Sequence, residues 1–168
     1  MKKGFILVLL VLFSFSAWGN ILVGKVDMQK VLLTVAEGKK VRSKLEKAFN
    51  SKKDILKKEE DKIRKAQEDY QKQNMVLSEK AKGKKQAEMQ NMVMALQNKT
   101  LEFQKEIQEM ENTLKRPMID KIREIVVDIS KKKNVTMTFE ISSAPIVYAK
   151  EELDITDEVI EAYNKKHK

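Results

Sequence analysis

Apolar and polar positions alternate along this chain in three distinct ways, and each way predicts a different element. Ile21 to Val26 is a short apolar run interrupted by Gly24 and Lys25, with β-branched Val23 and Val26, which predicts a strand ending at Asp27. From Met28 the spacing becomes helical. Apolar positions then step by four and three from Leu45 through Phe49, Lys52, Leu56, Glu59, Ile63, Ala66, Tyr70, Gln73 and Leu77, with Lys52, Glu59 and Gln73 as polar weak points. Met89, Val93, Leu96, Thr100, Phe103, Ile107, Met110 and Leu114 repeat the alternation with one polar member, as two helices sharing a left-handed seam require. Beyond Leu114 the steps to Met118 and Ile122 are both four, a stutter that unwinds a supercoil locally and coincides with Pro117.

Lys39 to Lys133 holds one glycine, Gly83, and one proline, Pro117, in 95 residues. Two helices of about 45 residues folded back at Gly83, with a tip near residues 79–86, fit this stretch and would project on the order of 60 to 70 Å. After Lys133, Asn134 offers a left-handed helix stop. Val135 to Ile141 alternates as a strand, Ser142 to Pro145 reads as a turn, and Ile146 to Ala149 as a second strand. Thr156, followed by Asp157 and Glu158, reads as the cap of a final amphipathic helix carrying Val159, Ile160 and Tyr163. Residues 20–38 and 134–168 thus form a small α+β body of 54 residues around the hairpin 39–133. A core so small, without cysteine or metal, calls for oligomerisation, and its open strand edges give partner subunits a place to bind.

The first residues follow other rules. Met1-Lys2-Lys3 and the apolar stretch Gly4 to Phe15 have the layout of a secretory signal, and Ala17-Trp18-Gly19 supplies small residues for cleavage before Asn20. The apolar run is too short to span a bilayer, which argues against an uncleaved anchor. Residues 1–19 are therefore expected to be removed, leaving an extracytoplasmic protein of net charge +7.

Composition narrows the chemistry. The 168 residues include 34 Lys and Arg, 25 Asp and Glu, one His and no Cys, which excludes disulfides, thiolate nucleophiles and cysteine-ligated zinc. No enzyme, cofactor or metal site is expected. His167 reads as a solvated residue of a lysine-rich tail, and Asp154, Asp157 and Glu158 lack calcium-loop spacing. Charge is polarised: the hairpin carries a net +10 and the body a net −3. Around Gly83, Lys80, Lys82, Lys84 and Lys85 suit an anionic membrane surface or an acidic partner segment, the alternative being a turn kept soluble by lysine. More apolar residues crowd this end than a seam can hide. Met75, Val76, Met92 and Met94 are expected to face outward, where flexible methionine accepts many apolar sequences. The readings open from the residues alone include a lysine-rich coiled coil that binds nucleic acid, which export disfavours, and a structural envelope tether. Pro117, where hairpin meets body, is expected to act as a pivot.

The segment Ile21-Leu22-Val23-Gly24-Lys25-Val26-Asp27-Met28-Gln29-Lys30-Val31-Leu32 resembles the opening strand and first helix of the Skp/OmpH family of periplasmic chaperones. Pro145-Ile146-Val147-Tyr148-Ala149, followed by Asp154-Ile155-Thr156-Asp157-Glu158-Val159-Ile160, resembles its closing strand and helix, and Pro117-Met118-Ile119 with Ile122 fits the return of its second long helix. The resemblance implies a mainly α fold with a small β body, assembled as a homotrimer with a β-barrel-like centre. Three helical arms would enclose a cavity that holds unfolded outer-membrane proteins without ATP. Ile21, Val23, Val26, Val135, Phe139, Ile146 and Tyr148 would then contribute to oligomerisation. Lipopolysaccharide is implied as a further partner by some relatives, and nucleic acid is not expected.

Overall fold

The computed structural model describes residues 21–167, so the expected signal segment and its cleavage before Asn20 lie outside the described residues. Strand β1 (Val23–Val26) leads into helix α1 (Met28–Thr34), where the Asp27 carboxylate accepts the Lys30 N–H at 2.7 Å and caps the first turn. Val35 then breaks the chain. It is extended at φ −63° and ψ 149°, fully buried, and followed at once by α2 (Ala36–Gln73). Gly38 makes this bend possible, because a Cβ there would stand 1.7 Å from the Leu32 carbonyl oxygen.

Helix α2 spans 38 residues, and α3 (Glu79–Lys132) runs back along it for 54, about 80 Å at the usual rise. The turn between them lies at residues 74–78, not around Gly83, and the two helices are unequal. Val76 and Leu77 donate backbone N–H bonds to the Gln73 carbonyl, while Ser78 caps α3 by accepting from the Ala81 N–H. Ser78 followed by Glu79 is a start signal in register with the helix dipole. An exposed glycine costs a helix only about 1 kcal/mol, so Gly83 is absorbed into the second turn. Nothing lies within 4 Å of a Cβ at Gly83.

At its far end α3 stops at Asn134, whose φ of 55° matches the expected left-handed turn. Strands β2 (Met137–Glu140) and β3 (Glu152–Asp154) then flank β1 on either side, both parallel to it, with Lys25 opposite Phe139 and Asp154. The three strands form an open sheet and not a closed barrel within the chain. The strand expected at Ile146 to Ala149 is absent. Residues 141–151 form an irregular crossover, and the second edge of β1 is taken by Glu152–Asp154. A strand of four residues has room for one partner per edge, and the docking of α4 (Thr156–Lys166) decides which segment that is. The Ile155 N–H donates to the Lys25 carbonyl, and Ile155, Val159 and Tyr163 are fully buried.

Thr156 plays a different part from the expected cap. Its hydroxyl accepts the Asp27 N–H at 3.0 Å, tying the start of α4 to the start of α1, and Asp154 accepts the Thr156 N–H at 2.9 Å. The core is confined to the body: Met118, Ile122, Ile125 and Ile129 of α3 meet Val26, Val31, Val35, Val159 and Tyr163. Between Leu45 and Leu114 no side chain is fully buried.

Two glycine substitutions separate these regions. Gly38→Ala forces backbone against backbone and should lower stability by about 3 kcal/mol in urea unfolding. Gly83→Ala should raise it by about 0.5 to 1 kcal/mol, and a destabilising Gly83→Ala would contradict its helical placement.

Candidate functional site

Polar pairs cross the hairpin at regular intervals along its half-buried apolar seam. The Lys52 ammonium bonds to Glu106 and lies 4.2 Å over the centre of the Phe103 ring, Lys99 reaches Glu59 at 3.3 Å, and Lys85 donates to Gln73 at 3.0 Å. Lys52 and Glu59 stand one heptad apart, as do Glu106 and Lys99, and Gln73 and Lys85 lie two heptads nearer the turn. The polar seam positions are thus rungs of a ladder and not weak points. Lys62 and then Lys99 hold the Glu59 carboxyl below its ordinary range. Gln86 adds a bond to the Tyr70 hydroxyl at 3.0 Å.

The ladder continues into the body. Lys121 meets both carboxylate oxygens of Glu37 at 3.1 Å, on the same antiparallel count as Lys52 and Glu106. Helix α3 is continuous and in register past Pro117, which is exposed beside fully buried Met118. The Tyr163 hydroxyl donates to Glu37 at 2.5 Å. This bond and Lys121 lower the Glu37 pKa, whereas burial and the Glu37 contact raise that of Tyr163. Three helices are joined at one carboxylate.

Apolar side chains that the ladder leaves out form the candidate surface. Phe49, placed on the seam by its spacing, is instead 57% exposed, with Ala48 turned inward in its place. It borders two adjoining grooves of 490 and 620 Å³, one running over Leu33, Val41 and Leu45 and the other over Leu56 and Phe103. Sequence spacing could not find this groove, since a strict four-three count puts Phe49 inside; the neighbouring Ala48 is the one signal that a different residue could fill the seam.

Toward the turn, Met75 is 95% and Val76 84% exposed, and Met94 stands outward with Val93 beside a further groove. Met92 does not join them: it is half-buried beside Glu59, Ile63 and Lys99. Lys80, Lys82, Lys84 and Lys85 fall in the first two turns of α3 and not around a bend at Gly83. Lys80 and Lys84 are exposed, while Lys82 pairs with Glu79 at 2.8 Å and Lys85 with Gln73.

Among residues expected at subunit contacts, Val23 and Val26 lie buried in the chain's own core, and Val135 and Phe139 are half-buried. Ile21, Ile146 and Tyr148 are exposed, Tyr148 by 82%. His167 is not simply solvated. Its ring packs 4.8 Å from Tyr163, and its Nε2 is buried without a partner among the described residues. Among the described residues there is no cluster of three or more metal-ligating side chains, and no helix is long and apolar enough to cross a membrane.

A two-helix prong mounted through its longer helix on a small parallel-sheet body is the class of protein this geometry defines. The chain belongs to the OmpH-like outer membrane protein family, whose model matches residues 23–163. Among solved structures it is similar to one from Caulobacter crescentus CB15, described as an OmpH-like candidate outer membrane chaperone. That likeness has a TM-score of 0.70 at 15% identity and covers 88% of this chain and 85% of the other. No curated protein matches the chain.

The Glu37 junction makes stability depend on acid. Glu37 titrates lower when folded than its ordinary 4.5, so in that range the unfolded chain binds more protons and stability rises with pH. The contribution should be complete above that value and fade as pH falls through the lowered folded value. Thermal unfolding from pH 7 to pH 3 should show a steeper loss in the parent chain than in Glu37→Gln; equal slopes would contradict the role given to this carboxylate.

Proposed function

We propose that this chain is an ATP-independent holdase of the periplasm, exported by its N-terminal segment, that keeps unfolded outer-membrane β-barrel proteins from aggregating. The observation that carries the reading is the band of unburied apolar side chains on a lysine-rich hairpin, from Phe49 at the base to Met75, Val76 and Met94 near the turn. Membership of the OmpH-like family supports it. Such a surface offers many weak contacts, and multivalency lets them hold a client that none of them could hold alone. Methionine adapts to different apolar segments without shape matching, and the net positive charge of the hairpin raises capture of acidic ones.

The working form in this reading is a homotrimer, with the exposed apolar residues Ile21, Ile146 and Tyr148 covered between subunits and three hairpins surrounding a shared cavity. Exposed Lys80 and Lys84 behind the Met75–Val76 turn would meet an anionic membrane surface or lipopolysaccharide at the end of each arm. No cofactor enters the mechanism, and release needs only that folding of the client outcompete weak rebinding.

Diluting a urea-unfolded outer-membrane β-barrel protein into excess chaperone should suppress light scattering. A Met75→Ser, Val76→Ser, Met94→Ser variant should need roughly tenfold more chaperone for the same suppression, because it loses apolar transfer energy at each contact. Unchanged scattering with the parent chain would overturn the holdase reading. Full suppression by the variant would move the binding surface away from the turn.

A further inference from the structure

At the base of the hairpin, an open notch of 490 Å³ that shares no lining residue with the Phe49 grooves is walled by Glu37 and Lys40 of α2, Lys121 of α3, and Lys166 and His167 at the end of α4. Four of these five side chains are bases, Lys40 and Lys121 from the two arms of the hairpin and Lys166 and His167 from the end of α4. The one acid is already satisfied: both Glu37 oxygens lie 3.1 Å from Lys121, and one also accepts the Tyr163 hydroxyl.

The bases are less well provided for. Lys40 enters no ion pair or hydrogen bond among the described residues, and Lys166 reaches Glu124 only at 3.9 Å. His167 Nε2 is buried with no partner among the described residues, although a buried polar atom ordinarily has one. The first turn of α2 forms one wall, and its leading N–H, that of Ala36, is already taken by the Asn164 side chain at 2.9 Å. We infer that this notch is a binding site for a phosphate-type oxyanion, held by Lys40 and Lys166 and by a hydrogen bond from His167 Nε2.

An oxyanion supplies what the notch lacks. Its oxygens can accept from two ammonium groups at once, and a third can accept from the imidazole, relieving the buried nitrogen. The groups facing that imidazole are Glu37, Lys40 and Lys121 from the hairpin and Tyr163 and Lys166 from its own helix. Because Glu37 is neutralised by Lys121, the remaining charge favours an anion. The site is separate from the proposed client surface, and its failure would leave the holdase reading intact.

His167 is the only histidine of the chain, so its imidazole proton resonances report the site without assignment. Titrating the full chain with inorganic phosphate, at ionic strength matched with chloride, should give a saturable shift of these resonances. Lys40→Ala and Lys166→Ala should each weaken phosphate binding by about tenfold, the loss expected for one charge-assisted hydrogen bond. A second arm uses phosphatidylcholine vesicles with and without phosphatidic acid. Lysine-dependent binding to the acidic vesicles alone would assign the anion to a lipid headgroup, and saturation by free phosphate would assign it to a soluble ligand. If neither probe saturates, or the two lysine variants respond as the parent does, the site is refuted.

Discussion

The fold depends on a single insertion: one face of the long return helix, Met118, Ile122, Ile125 and Ile129, driven into a body too small to be stable without it. Those four side chains are buried against strand β1, the Val35 bend and helix α4, and between Leu45 and Leu114 no side chain is buried to that degree. Hairpin and body are therefore a continuous structure at this junction, where Gly38 at the start of α2 is also buried. Glu37 reinforces it from the other arm by accepting from Lys121 and Tyr163 together.

Away from that junction the energetics change character. The seam is shallow, and its order comes from charge and hydrogen-bond pairs at heptad spacing, each worth a fraction of a kcal/mol to about 1 kcal/mol in solvent. Such pairs fix which residue faces which without burying much area. Large apolar side chains such as Phe49 and Met94 are consequently left at the surface instead of being drawn into the seam. A compact domain would hide them. A prong built on polar rungs can keep them available, and this links the architecture to the proposed capture of unfolded chains.

Much of this was legible in the sequence because it rests on local rules. The opening strand, the two long helices and the left-handed Asn134 each follow from spacing or a single residue's backbone preference. The misreadings arose where a local signal competed with a neighbour or with tertiary structure. Gly83 lost to the Ser78 cap five residues earlier. The apolar Ile146 to Ala149 lost the strand edge to Glu152–Asp154, which the docking of α4 places beside β1. Lys52 and Glu59 looked like defects because their partners, Glu106 and Lys99, lie on the other arm. His167 looked like a tail residue because its packing partner, Tyr163, lies one helical turn back and is itself buried by the body.

Amide hydrogen exchange resolved by residue is the most direct test of a prong anchored through one insertion. A prong anchored this way should show the slowest exchange in residues 118–129, in α4 and around Val31, with protection falling steadily from Leu114 toward the turn and its minimum at residues 74–78. Uniform protection along α2 and α3, or an arm that outlasts the body, would contradict it.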